Sequence, residues 1–140
     1  MQPVPDEDTV RDFLAHTIEV LREASGVASC SDEDRSCVTS GIAISIRVHG
    51  DFSGLTWTFP TKLARDTARR MVDGIDPDED LCIAAAIELA NILTGRGLVA
   101  LEAHNVAARL EPPSLATEIG DGIVANLVTR HGVVEIVFHP

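Results

Sequence analysis

The chain has 140 residues, 45% of them hydrophobic and 24% charged. This is the length and balance of one ordinary globular domain able to bury a real core, so disorder of the whole chain is not expected. Its 22 acidic and 11 basic residues leave a formal net charge of -11, which repels phosphate backbones and anionic lipid and so disfavours nucleic-acid and membrane-surface roles.

The opening MQPVPDEDTV has neither a basic start nor an apolar stretch. No secretory signal is expected, and the cytoplasm is the default location. An odd count of three cysteines then argues against a disulfide framework. Cys30 and Cys37 flank the acidic SDEDRS in a spacing that matches no zinc pattern, and they read as free thiols near a loop. Cys82 reads as core. Residues 1–7, acidic and Pro-rich, read as a loose arm.

In chain order, Val10, Phe13, Leu14, Ile18 and Leu21 recur every three to four residues and predict a helix over about residues 9–24. Asp8 or Thr9 caps its start, and Gly26 ends it. VASCSDEDRSCVTSG has no period and reads either as a loop or as a loop holding a short strand near Val38. IAISIRVHG then places Ile42, Ile44, Ile46 and Val48 on one side of a strand. HGDFSG turns the chain, and LTWTFP is the returning strand of a hairpin that ends at Pro60.

TKLARDTARRMVDG predicts an amphipathic helix with Leu63, Ala64, Ala68, Met71 and Val72 on its apolar side and Gly74 closing it. Arg65, Arg69 and Arg70 form its solvated basic face. IDPDED is a turn and acidic cap for a long helix from Pro77 or Asp78 to about Leu101. Its apolar run, around Leu81 to Leu93, is broken by polar residues and reads as too short to span a bilayer. Val106 to Leu110 is a candidate strand stopped by Pro112-Pro113. Ile123, Ala125, Leu127 and Val133 to Phe138 predict two antiparallel strands around a turn at His131-Gly132. The expected class is α/β or α+β: a mostly antiparallel sheet with long helices packed on one face.

The long helix carries the feature that needs explaining. Within AAAIELANILTGR, Glu88 and Asn91 stand three residues apart, hence on one face. Extended in both directions, that face reads Asp80, Ala84, Glu88, Asn91, Gly95, polar groups set among very small ones. Ile83, Ile87, Ala90 and the side of Leu93 are expected to pack on the sheet while this stripe faces outward. A carboxamide can donate to and accept from one water at once, and a carboxylate can anchor an ammonium group through a charge-assisted bond. Elsewhere the chemistry is sparse. His16 and His49 read as surface residues, no His/Cys/Asp cluster has metal spacing, and no serine has a nucleophile-elbow setting. TGRG at Thr94 to Gly97 lacks the Lys-Ser/Thr and the strand-loop-helix context of a phosphate loop.

ELANILTGR behind an acidic helix start resembles the signature helix of the CheX/CheC family of chemotaxis phosphatases. The likeness extends to the opening helix VRDFLAHTIEVLREASG, the central hairpin, Pro112-Pro113 and the closing DGIVANLVTRHGVVEIVFHP. One motif-bearing helix is closer to CheX than to CheC, which usually carries two.

The resemblance implies a phosphatase of a phosphorylated CheY-type response regulator. Glu88 would pair with the receiver's lysine, and Asn91 would orient a water for in-line attack on the aspartyl phosphate. Asp80, Ala84 and Gly95 would meet the partner. No cofactor of its own is implied, since the Mg2+ would belong to the receiver, and a homodimer through strand edges is implied as well. The family pattern often has Asp or Ser four residues before the Glu, where this chain has Ala84, and Pro113 comes one residue early. A non-catalytic CheX-like module that binds a receiver or mediates dimerisation is the alternative, and a flagellar-switch-type binding domain is a third reading.

Overall fold

The structure, a computed structural model, describes residues 5–25, 28–31, 41–73 and 75–140. The first helix, α1 (Glu7–Ser25), starts earlier than its apolar period suggests because Asp6 is the cap. The Asp6 carboxylate accepts from the Thr9 amide at 2.8 Å and from its hydroxyl at 2.6 Å. Asp8 and Thr9 therefore lie inside the helix, and of the expected loose arm residues 5–7 are ordered into the fold, since Pro5 is buried and Glu7 is helical. Residues 1–4 and Gly26 lie outside the described residues.

A short strand, β1 (Ala28–Ser31), occupies part of the stretch left open between loop and strand. It includes the backbone of Cys30, whereas Cys37 and Val38 fall outside the described residues. The hairpin consists of β2 (Gly41–Gly50) and β3 (Gly54–Pro60), paired with Ile44 opposite Trp57. Two helices follow, α2 (Thr61–Met71) and α3 (Glu79–Ala103). Leu63, Ala64 and Ala68 of α2 are buried as expected, but Met71 is 50% exposed. It is the last helical residue, and the chain leaves the helix at Val72. Gly74, the expected helix stop, is outside the described residues.

The remaining strands are β4 (Ala108–Leu110), β5 (Ser114–Leu115), β6 (Ile123–Thr129) and β7 (Gly132–His139). The β6–β7 turn is centred on Arg130-His131, one residue before the expected position, because Gly132 already pairs with Thr129. The sheet runs β1-β6-β7-β3-β2-β4, with β5 beside β2, and every pairing is antiparallel.

Register puts Ile44, Trp57, Ile136 and Ala125 in one row of the sheet, with Ile46, Leu55, Phe138 and Ile123 in the next of that face. Period 2 then aims all eight at one side. That side meets the helices. Phe13 of α1 packs edge-on against Phe138 at 5.2 Å between ring centroids and tilted against Trp57 at 6.1 Å, arrangements that aromatic quadrupoles favour. The buried apolar residues of all three helices and, apart from Val137, those of the sheet belong to one core cluster.

On the opposite face, Thr56 and His139 join through Oγ1 and Nε2 at 2.7 Å. His139 Nδ1 donates to the Asp121 carbonyl at 2.8 Å, which ties the β5–β6 connection to β7. With Nδ1 donating, Nε2 of the neutral ring accepts from the threonine.

Candidate functional site

The acidic turn before α3 does what its composition suggests. Asp78 is the N-cap, and its Oδ1 accepts from the Leu81 amide at 2.8 Å. Glu79 and Asp80 occupy the first turn, where the helix dipole favours negative charge. The whole of α3, unlike its apolar run around Leu81 to Leu93, is long and apolar enough by length and mean hydropathy alone to cross a bilayer. Its buried apolar residues belong to the core shared with α1, α2 and the sheet.

The rotation of α3 is set from inside. Thr94 is fully buried. It accepts a hydrogen bond from Trp57 Nε1 at 2.9 Å and donates to the Ala90 carbonyl at 2.7 Å. Gly97 lies against Phe13, so closely that a Cβ there would sit 2.1 Å from the ring. Cys82, Leu89, Ala90, Leu93 and Leu101 are buried beside them. Ile83 and Ile87, expected on the sheet, are only half-buried; the buried positions are Cys82, Ala85, Ala86, Leu89, Ala90 and Leu93, because α3 packs against α1 and α2 as well as the sheet. The TGRG segment is ordinary helix interior, with Thr94 and Gly97 used for packing.

With that side turned in, Asp80, Ala84, Glu88, Asn91 and Gly95 are all exposed. They form a ridge roughly 22 Å long at the helical rise per residue. Among the described residues, neither Glu88 nor Asn91 has a hydrogen-bond or salt-bridge partner. A Cβ added at Gly95 would meet nothing within 4 Å. At the N-terminal end a shallow depression of about 390 Å³ is lined by Ile75, Asp76, Asp78, Asp80, Leu81 and Ala84. The stripe thus presents an acid and an amide in open solvent, next to an acidic recess.

Two residues of this ridge escape a reading based on polar groups. Ile92, at i+4 from Glu88, is 41% exposed, and Val99, at i+4 from Gly95, is 55% exposed. Their signal is the same helical spacing, continued one and three turns beyond Glu88.

The other titratable groups are structural. Asp66 meets His131 at 3.1 Å and Arg69 at 3.5 Å, and Arg69 also reaches Asp76 at 3.5 Å; this ties α2 to the β6–β7 turn and to the entry of α3. His49 meets Glu111 at 2.8 Å on the surface, and His16 lies exposed near Asp12. Among the described residues, no group of three or more His, Cys, Asp or Glu side chains is placed to hold a metal ion.

Comparison with solved structures bears on the architecture. The chemotaxis protein CheX from Desulfovibrio desulfuricans superposes with a TM-score of 0.73 at 17% identity, over 94% of this chain and 99% of that one. The fold is that of the CheX/CheC proteins. A CheX-CheY-BeF3-Mg2+ complex from Borrelia burgdorferi matches this CheX/CheC-like chain at TM-score 0.67 and 15% identity, over 94% of this chain and 96% of that one. The middle domain of FliM from Helicobacter pylori shares the architecture more distantly, at TM-score 0.55 and 8% identity over 96% and 93% of the two chains. No family model matches the sequence, and no curated protein matches it.

Proposed function

We propose that this CheX-like chain hydrolyses the aspartyl phosphate of a CheY-type response regulator in chemotaxis or two-component signalling, with Glu88 and Asn91 as the working groups. The single observation that carries the reading is that both side chains stand exposed on one face of α3 and, among the described residues, have no side-chain partner. The fold match to a CheX that forms a complex with CheY supports the choice of partner. Glu88 forms a charge-assisted bond to the receiver's lysine and fixes the approach. Asn91 enters the receiver's site and orients a water, accepting from it and donating to it in line with the bond to be broken. Mg2+ belongs to the receiver, and phosphoryl transfer needs little of this chain beyond positioning and electrostatics. The protein acts in the cytoplasm, where receivers reside.

A second reading rests on Ala84. It occupies the place where the resemblance leads one to expect Asp or Ser, and one fold hosts several functions. A chain that keeps Glu88 and Asn91 yet only binds a receiver, or assembles as a homodimer, would look the same.

The deciding experiment is loss of phosphate from phosphorylated receivers of the source organism, with and without this protein. Acceleration that disappears in Asn91→Ala, with thermal stability unchanged, supports the enzyme. Saturable binding without acceleration for every receiver tested favours the second reading.

A further inference from the structure

Ile92 and Val99 are large apolar side chains exposed on the one face of α3 that neither α1, α2 nor the sheet covers. Val99 lies eleven residues from Glu88, which is three helical turns, so it sits almost directly above the carboxylate at roughly 16 Å. The ridge is convex, whereas small-molecule sites are concave. The net charge of -11 opposes nucleic acid and anionic lipid. It also opposes a second copy, because a two-fold contact along this ridge would bring the same acidic patch against itself. What fits is a different protein that offers a cation for Glu88 and an apolar patch about three helical turns away.

We infer that Ile92 and Val99 form an apolar anchor that docks on the same receiver that Glu88 and Asn91 engage, and that this anchor sets which receivers are accepted. The inference rests on the receiver reading above. Interfaces draw most of their affinity from a few desolvated anchors, while charged groups set register and rate of encounter. Glu88 therefore aligns the complex, and the Ile92–Val99 pair holds it.

The test uses the full chain and a purified, phosphorylated CheY-type receiver with Mg2+, measuring the kinetics of phosphate loss. Val99→Asp and Ile92→Asp are each expected to raise KM about tenfold or more while kcat at saturation stays within about twofold. Val99→Ser, which removes the contact without adding charge, shifts KM in the same direction by less. Asn91→Ala lowers kcat instead. An unchanged KM in Val99→Asp beside a crippled Asn91→Ala overturns the anchor and leaves the receiver reading standing. If the unaltered chain neither binds nor dephosphorylates any receiver, the reading itself falls and the anchor with it. If Val99→Asp instead converts a dimer to a monomer by light scattering, the face is a self-interface and the inference is wrong.

Discussion

Trp57 donates its indole N–H to Thr94 Oγ1 across 2.9 Å within the core, a polar tie between β3 and the inward side of α3. Both partners are buried, and the Thr94 hydroxyl donates its own hydrogen bond to the Ala90 carbonyl, so the small network is satisfied. Thr94→Val keeps the shape and removes the acceptor. An orphaned buried donor costs about 1–3 kcal/mol, and urea unfolding followed by Trp57 fluorescence should show a loss of that size. A change below a few tenths of a kcal/mol would mean that the bond does not hold the helix.

The two glycines of α3 should respond oppositely to alanine. Gly97→Ala drives a methyl into Phe13 and should destabilise by about 1–3 kcal/mol or more, as overpacking does. Gly95→Ala has free space and should stabilise by up to about 1 kcal/mol through helix propensity. Denaturation midpoints measured in parallel check both. If close approach of the receiver uses the space over Gly95, Gly95→Ala will also weaken receiver binding, although the fold is firmer.

Ala84→Asp supplies the carboxylate that the resemblance leads one to expect. The position is exposed, so the substitution costs little: a few tenths of a kcal/mol from propensity and from like charges four residues away at Asp80 and Glu88. The rate of receiver dephosphorylation is expected to rise, and single-turnover phosphate release measures it. An unchanged or lower rate would show that Ala84 does not limit the chemistry.

Acid should weaken the start of α1. The Thr9 hydroxyl, and after it the Thr9 amide, hold the Asp6 carboxyl below its usual range. The folded-state value is thus lower than the unfolded one, and the cap's contribution is full above the unfolded pKa and lost as pH falls through the folded value. Asp6→Ala should lower the melting temperature at neutral pH. Its deficit against the unaltered chain should shrink steadily as pH drops below the ordinary carboxylate range, near 3.9. A deficit that does not change with pH would assign the loss to something other than the ionised cap.

Local pattern went far with this chain. The 3.6-residue period predicted α1, α2 and α3 within a few residues, and alternation predicted β2, β3, β6 and β7, because each element must hide one face and its spacing records which. The same spacing placed Asp80, Ala84, Glu88, Asn91 and Gly95 on one stripe, since relative position around a helix is a property of the helix alone.

What spacing could not decide was which way the stripe points and what surrounds it. That took the Trp57–Thr94 bond, the seat of Gly97 on Phe13, and the packing of α3 against α1 and α2 as well as the sheet, which left Ile83 and Ile87 half-buried. It likewise took the sheet to recruit Ala28–Ser31 as a strand, because a four-residue segment without alternation becomes a strand only when an edge such as β6 offers its hydrogen bonds. Met71 read as part of an apolar helix face, while Ile92 and Val99 drew no reading from spacing; all three are exposed. They were left in solvent because the packing partners that would have covered them are elsewhere, and only three-dimensional arrangement settles that.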